Sequence, residues 1–272
     1  MIIKHQSPNT RLWPSVKWHR QSLFIAFALF LTRPAYAQTK KVLVFCKTAS
    51  YHHESIPVGI KALQKLGIDN NFGVDTTTNG ALFTEGNLKK YAALVFLNTS
   101  GNVLDTMQKT EFKRYIQAGG GFMGIHCASS TEKSWVWYGH LVGAVFTRHP
   151  EPQLGVINVV DHINLATAHL PGRWKWKDEW YNFRDIKEKD IHVLMMADET
   201  TYKGGDNGAY HPLAWWHEYD GGRSFYTALG HFDVAYSDPL YLKHLLAGVK
   251  YAMGNNVELN YSKVKTASIQ PK

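Results

Sequence analysis

Gly119-Gly120-Gly121-Phe122-Met123-Gly124-Ile125-His126-Cys127-Ala128-Ser129 is the stretch that decides the fold. Small, flexible residues run into a short apolar strand, and the strand ends on a histidine in a tight turn. A helix-like segment follows, from Lys133 to Val142. Strand, sharp turn and helix is how α/β hydrolytic folds present one reactive side chain above a sheet. Here that side chain is an imidazole, which points to acid–base or metal chemistry rather than acyl transfer.

Working outward, Lys41–Cys46 and Ala92–Asn98 read as buried strands, short and rich in β-branched residues. Phe72–Thr77 reads as another. Ile56–Leu66 has helical apolar spacing with Gly67 as its stop, and Asp105–Ala118 is an amphipathic helix closed by the glycine run. Strands alternating with helices predict right-handed crossovers and a mostly parallel sheet. The loops 47–55, 98–104 and 126–131 follow strands and should meet at the carboxyl edge, where such sheets place their sites. In the second half Val156–Val160, His192–Ala197, Leu213–His217 and Ser224–Leu229 read as strands among aromatic loops. A last helix starts at Asp238-Pro239 and runs to about Met253.

The amino terminus has the pattern of an export signal. Residues 1–37 carry Lys4, Arg11, Lys17, Arg20 and Arg33 with no acid, then the apolar run Leu23–Leu31, then Ala35-Tyr36-Ala37 before Gln38. The run is shorter than the roughly 20 residues of a membrane span. The expectation is a periplasmic or secreted protein, with a domain over 38–257 and a polar, frayed tail over 258–272. The full chain has 30 basic and 22 acidic residues, a net +8; without the five leader cations it is 25 minus 22, or +3. With no basic stripe, nucleic acid is not an expected partner. Removing 37 of 272 residues leaves 235, enough for one α/β domain. Cys46 and Cys127 each end an apolar strand, where a buried free thiol is at least as ordinary as a disulfide.

Five segments can carry chemistry: Thr48–Glu54 with His52-His53-Glu54, the His126 turn, Phe146–Gln153, Asp178–Tyr181, and Leu229–Asp233. Tyr210-His211-Pro212 is a weaker sixth. The catalytic set is read as His53, His126, Glu179 and His231, with Glu179 a general base whose pKa is raised by Trp180 and Tyr181. Arg148, His149, Gln153, Tyr181 and His211 are read as substrate contacts. No H-E-x-x-H or paired C-x-x-C is present. Three imidazoles on converging loops still make His53, His126 and His231 candidate ligands of a divalent ion. A hydrogen-bonded histidine pocket without metal is the alternative. No nucleotide is expected. His140, His162, His169, His192 and His244 are read as structural or solvent-facing.

At these motifs the chain resembles the ThuA-like (trehalose-utilisation) family. The matching pieces are the loop ending Glu54-Ser55-Ile56, GGGFMGIH, Arg148-His149-Pro150 with Gln153, DEWYNF at 178–183, HPLAWWHEYDGGRSFYTALGH at 211–231, and the closing helix to Gly254. The resemblance implies a class I glutamine amidotransferase-like, flavodoxin-like fold, with additional strands and loops in the second half. It sets His126 at the place of an elbow cysteine, and His231 and Asp233 at the places of a histidine and an acid. Without a thiolate at the elbow, glutaminase chemistry is not expected. His52-His53-Glu54 stands where many relatives have an arginine–histidine pair. The resemblance further implies disaccharide catabolism alongside a sugar 3-dehydrogenase, and a lyase or hydrolase acting on 3-keto-glycosides. The alternatives are a non-catalytic sugar-binding module and an accessory subunit of the dehydrogenase.

Overall fold

In the computed structural model, which describes residues 1–2, 39–255 and 258–264, the elbow belongs to the parallel half of a nine-stranded sheet. Lys41–Phe45 (β1), Gly73–Thr77 (β2), Ala93–Leu97 (β3) and Gly121–Ile125 (β4) are joined by helices Ile56–Asp69 (α1), Glu85–Leu88 (α2) and Thr106–Gln117 (α3). The second half adds Val136–Val142 (α4), Val145–Arg148 (β5), Gln153–Val159 (β6), Arg173–Asp178 (β7), Asn182–Arg184 (β8), His192–Asp198 (β9), Pro212–Tyr219 (β10), Gly222–Thr227 (β11) and Pro239–Met253 (α5). The sheet order is β2-β1-β3-β4-β11-β10-β9-β6-β7, and β5 pairs separately with β8. The first five strands are parallel. That is the flavodoxin-like order, continued by an antiparallel extension from β11 to β7. The leader read from residues 1–37 lies outside the described residues apart from Met1 and Ile2.

The parallel strands form because they are covered on both faces. β3 and β4 are buried at every position. Phe96 sits among Phe45, Phe83, Phe112, Phe122 and Tyr138. Removing such a ring costs about 3–5 kcal/mol. α3 starts at a capping box: Asp105 accepts from the Gln108 amide, and the Gln108 side chain accepts from that of Asp105. Gly121 must be glycine, since a Cβ there would lie 1.8 Å from the carbonyl oxygen of Ala252 in α5.

Gly67 is not the stop expected of it; α1 continues to Asp69. The glycine lets the helix close on the next strand, since a Cβ would meet the Phe72 carbonyl and Val74 at 2.7 Å. β7 was not foreseen, although its residues alternate exposed and buried along Arg-Trp-Lys-Trp-Lys-Asp. The loops after β1 and β3 do meet as expected. Thr48 bridges Ser100, Gly101 bridges Thr131, and the Ser100 hydroxyl donates to the Tyr51 carbonyl. Residues 258–264 continue beside α3, with the Asn260 amide donating to the Ala118 carbonyl.

Candidate active site

His126 follows β4 directly, at φ +50°, in the left-handed region. For a residue with a Cβ that conformation costs roughly 1–2 kcal/mol. The surroundings hold it there: Tyr226 donates its hydroxyl to the His126 carbonyl at 2.8 Å, and Ser129 bonds the same hydroxyl. The ring is fixed by Nδ1–H, which donates to the Ala228 carbonyl at 2.6 Å. Tyr181 lies against the ring at 4.3 Å between centroids.

Three other segments deliver side chains to the other ring nitrogen, Nε2. His53 comes from the loop after β1, Glu179 from the end of β7, and His231 from the loop after β11. His126 Nε2 lies 3.1 Å from His53 Nε2 and 3.2 Å from Glu179 Oε2. Glu179 Oε2 is 3.3 Å from His231 Nδ1 and 3.8 Å from His53 Nε2. The four donor atoms all lie within 4.8 Å of one another. His53 and His126 are buried, Glu179 nearly so, and His231 has a partly exposed side chain.

Protons alone fill this cluster awkwardly. The Ala228 carbonyl claims the Nδ1 proton of His126, so a neutral ring turns a lone pair at Nε2 toward a carboxylate oxygen. A proton donated from His53 Nε2, a second proton on His126, or a cation can each occupy the space between the groups. The donor set fits a cation. A tetrahedral centre with bonds of about 2.0–2.1 Å has donor separations of about 3.3 Å, close to those here. A ligating histidine is ordinarily oriented by a carbonyl on its other nitrogen, the role Ala228 fills.

Burial alone would raise the Glu179 carboxyl, but hydrogen bonds from His126, His231 and His53 outweigh it and hold it well below the usual range. This corrects the expectation of a raised pKa. Trp180 supplies no local influence: its indole turns away to donate to the Gln153 carbonyl and to stack on Tyr202. Burial lowers His53 to about 4, so it is neutral. Burial also opposes protonation of His231, yet the bond and charge of Glu179 raise it above its ordinary value.

Asp178 holds the frame and was missed as a site residue. One oxygen accepts from the backbone amides of Glu179 and His231, the other from Gly230 and the Trp176 indole, all at 2.8–3.1 Å. One buried carboxylate thus ties the Glu179 strand to the His231 loop. Its place beside Glu179 in DEWY was the available signal.

The predicted substrate residues divide. His149 joins the site, with Nε2 at 3.4 Å from Glu179 Oε1. Tyr181 forms its wall. His211 stands behind that wall, bonded to the Tyr181 carbonyl and to Glu199. Arg148 pairs with Asp206, and Gln153 bonds the Lys203 backbone, so neither reaches the cluster. Asp233 is exposed at the start of a 3-10 turn, and no hydrogen bond or ion pair joins it to the cluster among the described residues. Cys127 is buried and free, as is Cys46, and burial pushes the Cys127 thiol up to about 11.

The trehalose-utilisation (ThuA) family model matches residues 41–252. This chain belongs to the ThuA family. Two ThuA-like proteins of known structure share its fold. The one from Bacteroides uniformis is 23% identical with a TM-score of 0.70, over 85% of this chain and 98% of that one. The one from Parabacteroides merdae is 18% identical with a TM-score of 0.66, over 84% and 99%. A β-galactosidase from Rahnella sp. R3 shares the fold more loosely, at 15% identity and a TM-score of 0.51, over 77% of this chain and 30% of that one. No curated protein matches this ThuA-family chain.

Proposed function

We propose that this ThuA-family protein is an exported carbohydrate-active enzyme, a lyase or hydrolase that acts on 3-keto-glycosides. The observation that carries the reading is the convergence of His53, His126, His231 and Glu179, with separations of 3.1–3.8 Å, at the carboxyl edge of the sheet. A ketone at carbon 3 acidifies the proton on carbon 2. A base can remove it, and the group on carbon 1 can then leave. The reaction needs a proton acceptor, a stabiliser for the enolate and a donor for the leaving oxygen.

The cluster offers each. His53 is held neutral and is a stronger base than the depressed Glu179 carboxylate. Glu179 raises the pKa of His231, which also has the most accessible ring of the three imidazoles, and both features suit the donor. His126 faces the centre, where the enolate oxygen gathers charge. Tyr51, exposed and edge-on to His53, and Phe232, edge-on to His231, give apolar surface for a sugar ring.

As an alternative to these proton roles, the convergence of three imidazoles and a carboxylate would suit His53, His126, His231 and Glu179 as ligands of a divalent ion. Such an ion supplies Lewis-acid polarisation of the ketone. A sugar 3-dehydrogenase is the class of enzyme that supplies the oxidised substrate.

The test is incubation of purified protein with 3-keto-disaccharides and with plain disaccharides, with and without chelator. Turnover of the oxidised sugars, lost in Glu179→Gln, supports the reading. Tight sugar binding without product supports a binding module instead. Activity that appears only with a co-purifying oxidoreductase supports an accessory subunit. Export is read from residues 1–37, and an intact leader on protein recovered from cells counts against it.

A further inference from the structure

The segment from Arg148 to Gln153 is clamped at both ends to one loop. Arg148 pairs with Asp206 at 2.7 Å. The Gln153 amide accepts from the Lys203 backbone amide and donates to its carbonyl, at 3.0 and 2.9 Å. Between them Pro150 packs on Gly204, where a Cβ would come within 2.7 Å of the Pro150 ring and where φ is +90°. The clamping loop is itself fixed from behind. Buried Asn182 donates to the Gly204 carbonyl and accepts from the Asp206 amide.

What this strut presents is His149. Its Nδ1–H donates to the Pro150 carbonyl at 2.8 Å, so the ring orientation is set by the clamped turn. The ring stacks on Tyr181 at 5.6 Å and 24°. Its Nε2 lies 3.4 Å from Glu179 Oε1, and with Nδ1–H already on Pro150 this contact is a donor to the carboxylate only as the second N–H of an imidazolium. The three cluster histidines all approach the other oxygen, Oε2.

We propose that His149 is a positioning residue: it occupies Glu179 Oε1 and so commits Glu179 to engage the cluster through Oε2 alone. The inference rests on the reading of Glu179 as the hub of the site, but not on any turnover. A glutamate side chain has three rotatable bonds, and ordering such a chain costs rotamer freedom. A partner on the second oxygen resists that loss and keeps the carboxylate from swinging toward the rim. Outer partners of this kind ordinarily tune affinity for an ion by 10–100-fold.

The test uses the full-length protein and its His149→Ala and His149→Gln variants. Crystal structures of all three are compared, and Zn²⁺ affinity is measured by calorimetry without sugar. The expected result is that His149→Ala melts at the wild-type temperature, lets Glu179 Oε2 leave the 3–4 Å cluster, and binds Zn²⁺ about 10–100-fold more weakly. His149→Gln retains an N–H donor and should keep most of the affinity. An unmoved Glu179 in the His149→Ala crystal overturns the proposal whatever the Zn²⁺ result. So does an unchanged Zn²⁺ affinity in His149→Ala. Because neither readout uses turnover, failure of the 3-keto-glycoside reading leaves this result separately legible.

Discussion

Nδ1 of His126 lies 2.6 Å from the carbonyl oxygen of Ala228, and that contact turns the other ring nitrogen of the elbow toward His53 and Glu179. A strained backbone at φ +50° and a locked tautomer meet in one residue. Substitution should therefore separate fold from function. His126→Asn suits the left-handed conformation, which asparagine tolerates. We expect it to stay folded by thermal melting while turnover falls about 10²–10⁴-fold, the usual loss for an acid–base group.

Glu179 and His231 should titrate as partners. His231 has a folded pKa above 6.5, so its contribution to stability is complete below pH 6.5 and disappears as pH rises through the folded value. If His231 is the acid, turnover should decline over that same alkaline limb. Glu179→Gln removes the bond and charge that raise His231 most and leaves burial, which lowers it, opposed by the charge of Asp178. Histidine titration by NMR should show the His231 pKa fall in that variant. No movement would separate the two residues.

Far from the site, His244 should make the protein acid-sensitive. It is fully buried in α5, with Nδ1 donating to the Ala166 carbonyl. Burial lowers it from 6.5 to about 4. Between those values the unfolded chain binds a proton that the native state refuses, so stability falls as pH drops from 6.5 toward 4. The size is about 3 kcal/mol. His244→Asn should flatten the dependence of melting temperature on pH in this window. His53 acts in the same direction, so part of the slope should remain.

Cys127 beside the elbow should be a bystander. Burial raises its pKa to about 11, leaving almost no thiolate at neutral pH. Cys127→Ser should keep activity within about twofold, with a stability change of the order of 1 kcal/mol. Alkylation of the native protein at pH 7.5 should leave both Cys46 and Cys127 unmodified. A fast-reacting Cys127 would reopen thiol chemistry.

The parallel half was legible because β1, β3 and β4 each bury four or five consecutive residues with no charged side chain among them, and a turn rich in glycine has few alternatives. β7 was not, because tryptophan and lysine alternating beside two acids look like an aromatic loop until a sheet is there to bury one face. His53, His126, Glu179 and His231 were legible as chemically unusual residues at strand ends. Their grouping depended on the antiparallel extension bringing the end of β7 back to β11, fastened by Asp178, and no local pattern encodes that contact. His149 was read as a sugar contact, although its nearest charged partner is Glu179. Asp233 was placed by resemblance to an amidotransferase acid, whereas the carboxylate that reaches His231 comes from Glu179, more than fifty residues earlier in the chain.

In the proposed reaction this cluster removes a proton from carbon 2 of an oxidised sugar. The most direct measurement is proton NMR of a 3-keto-disaccharide in D₂O with catalytic amounts of purified protein. Loss of the carbon-2 proton signal, or cleavage at carbon 1, is expected with wild type and neither with His126→Asn or Glu179→Gln. A carbon-2 signal and a glycosidic bond that both persist at the uncatalysed rate, in metal-supplemented wild-type protein, would contradict it.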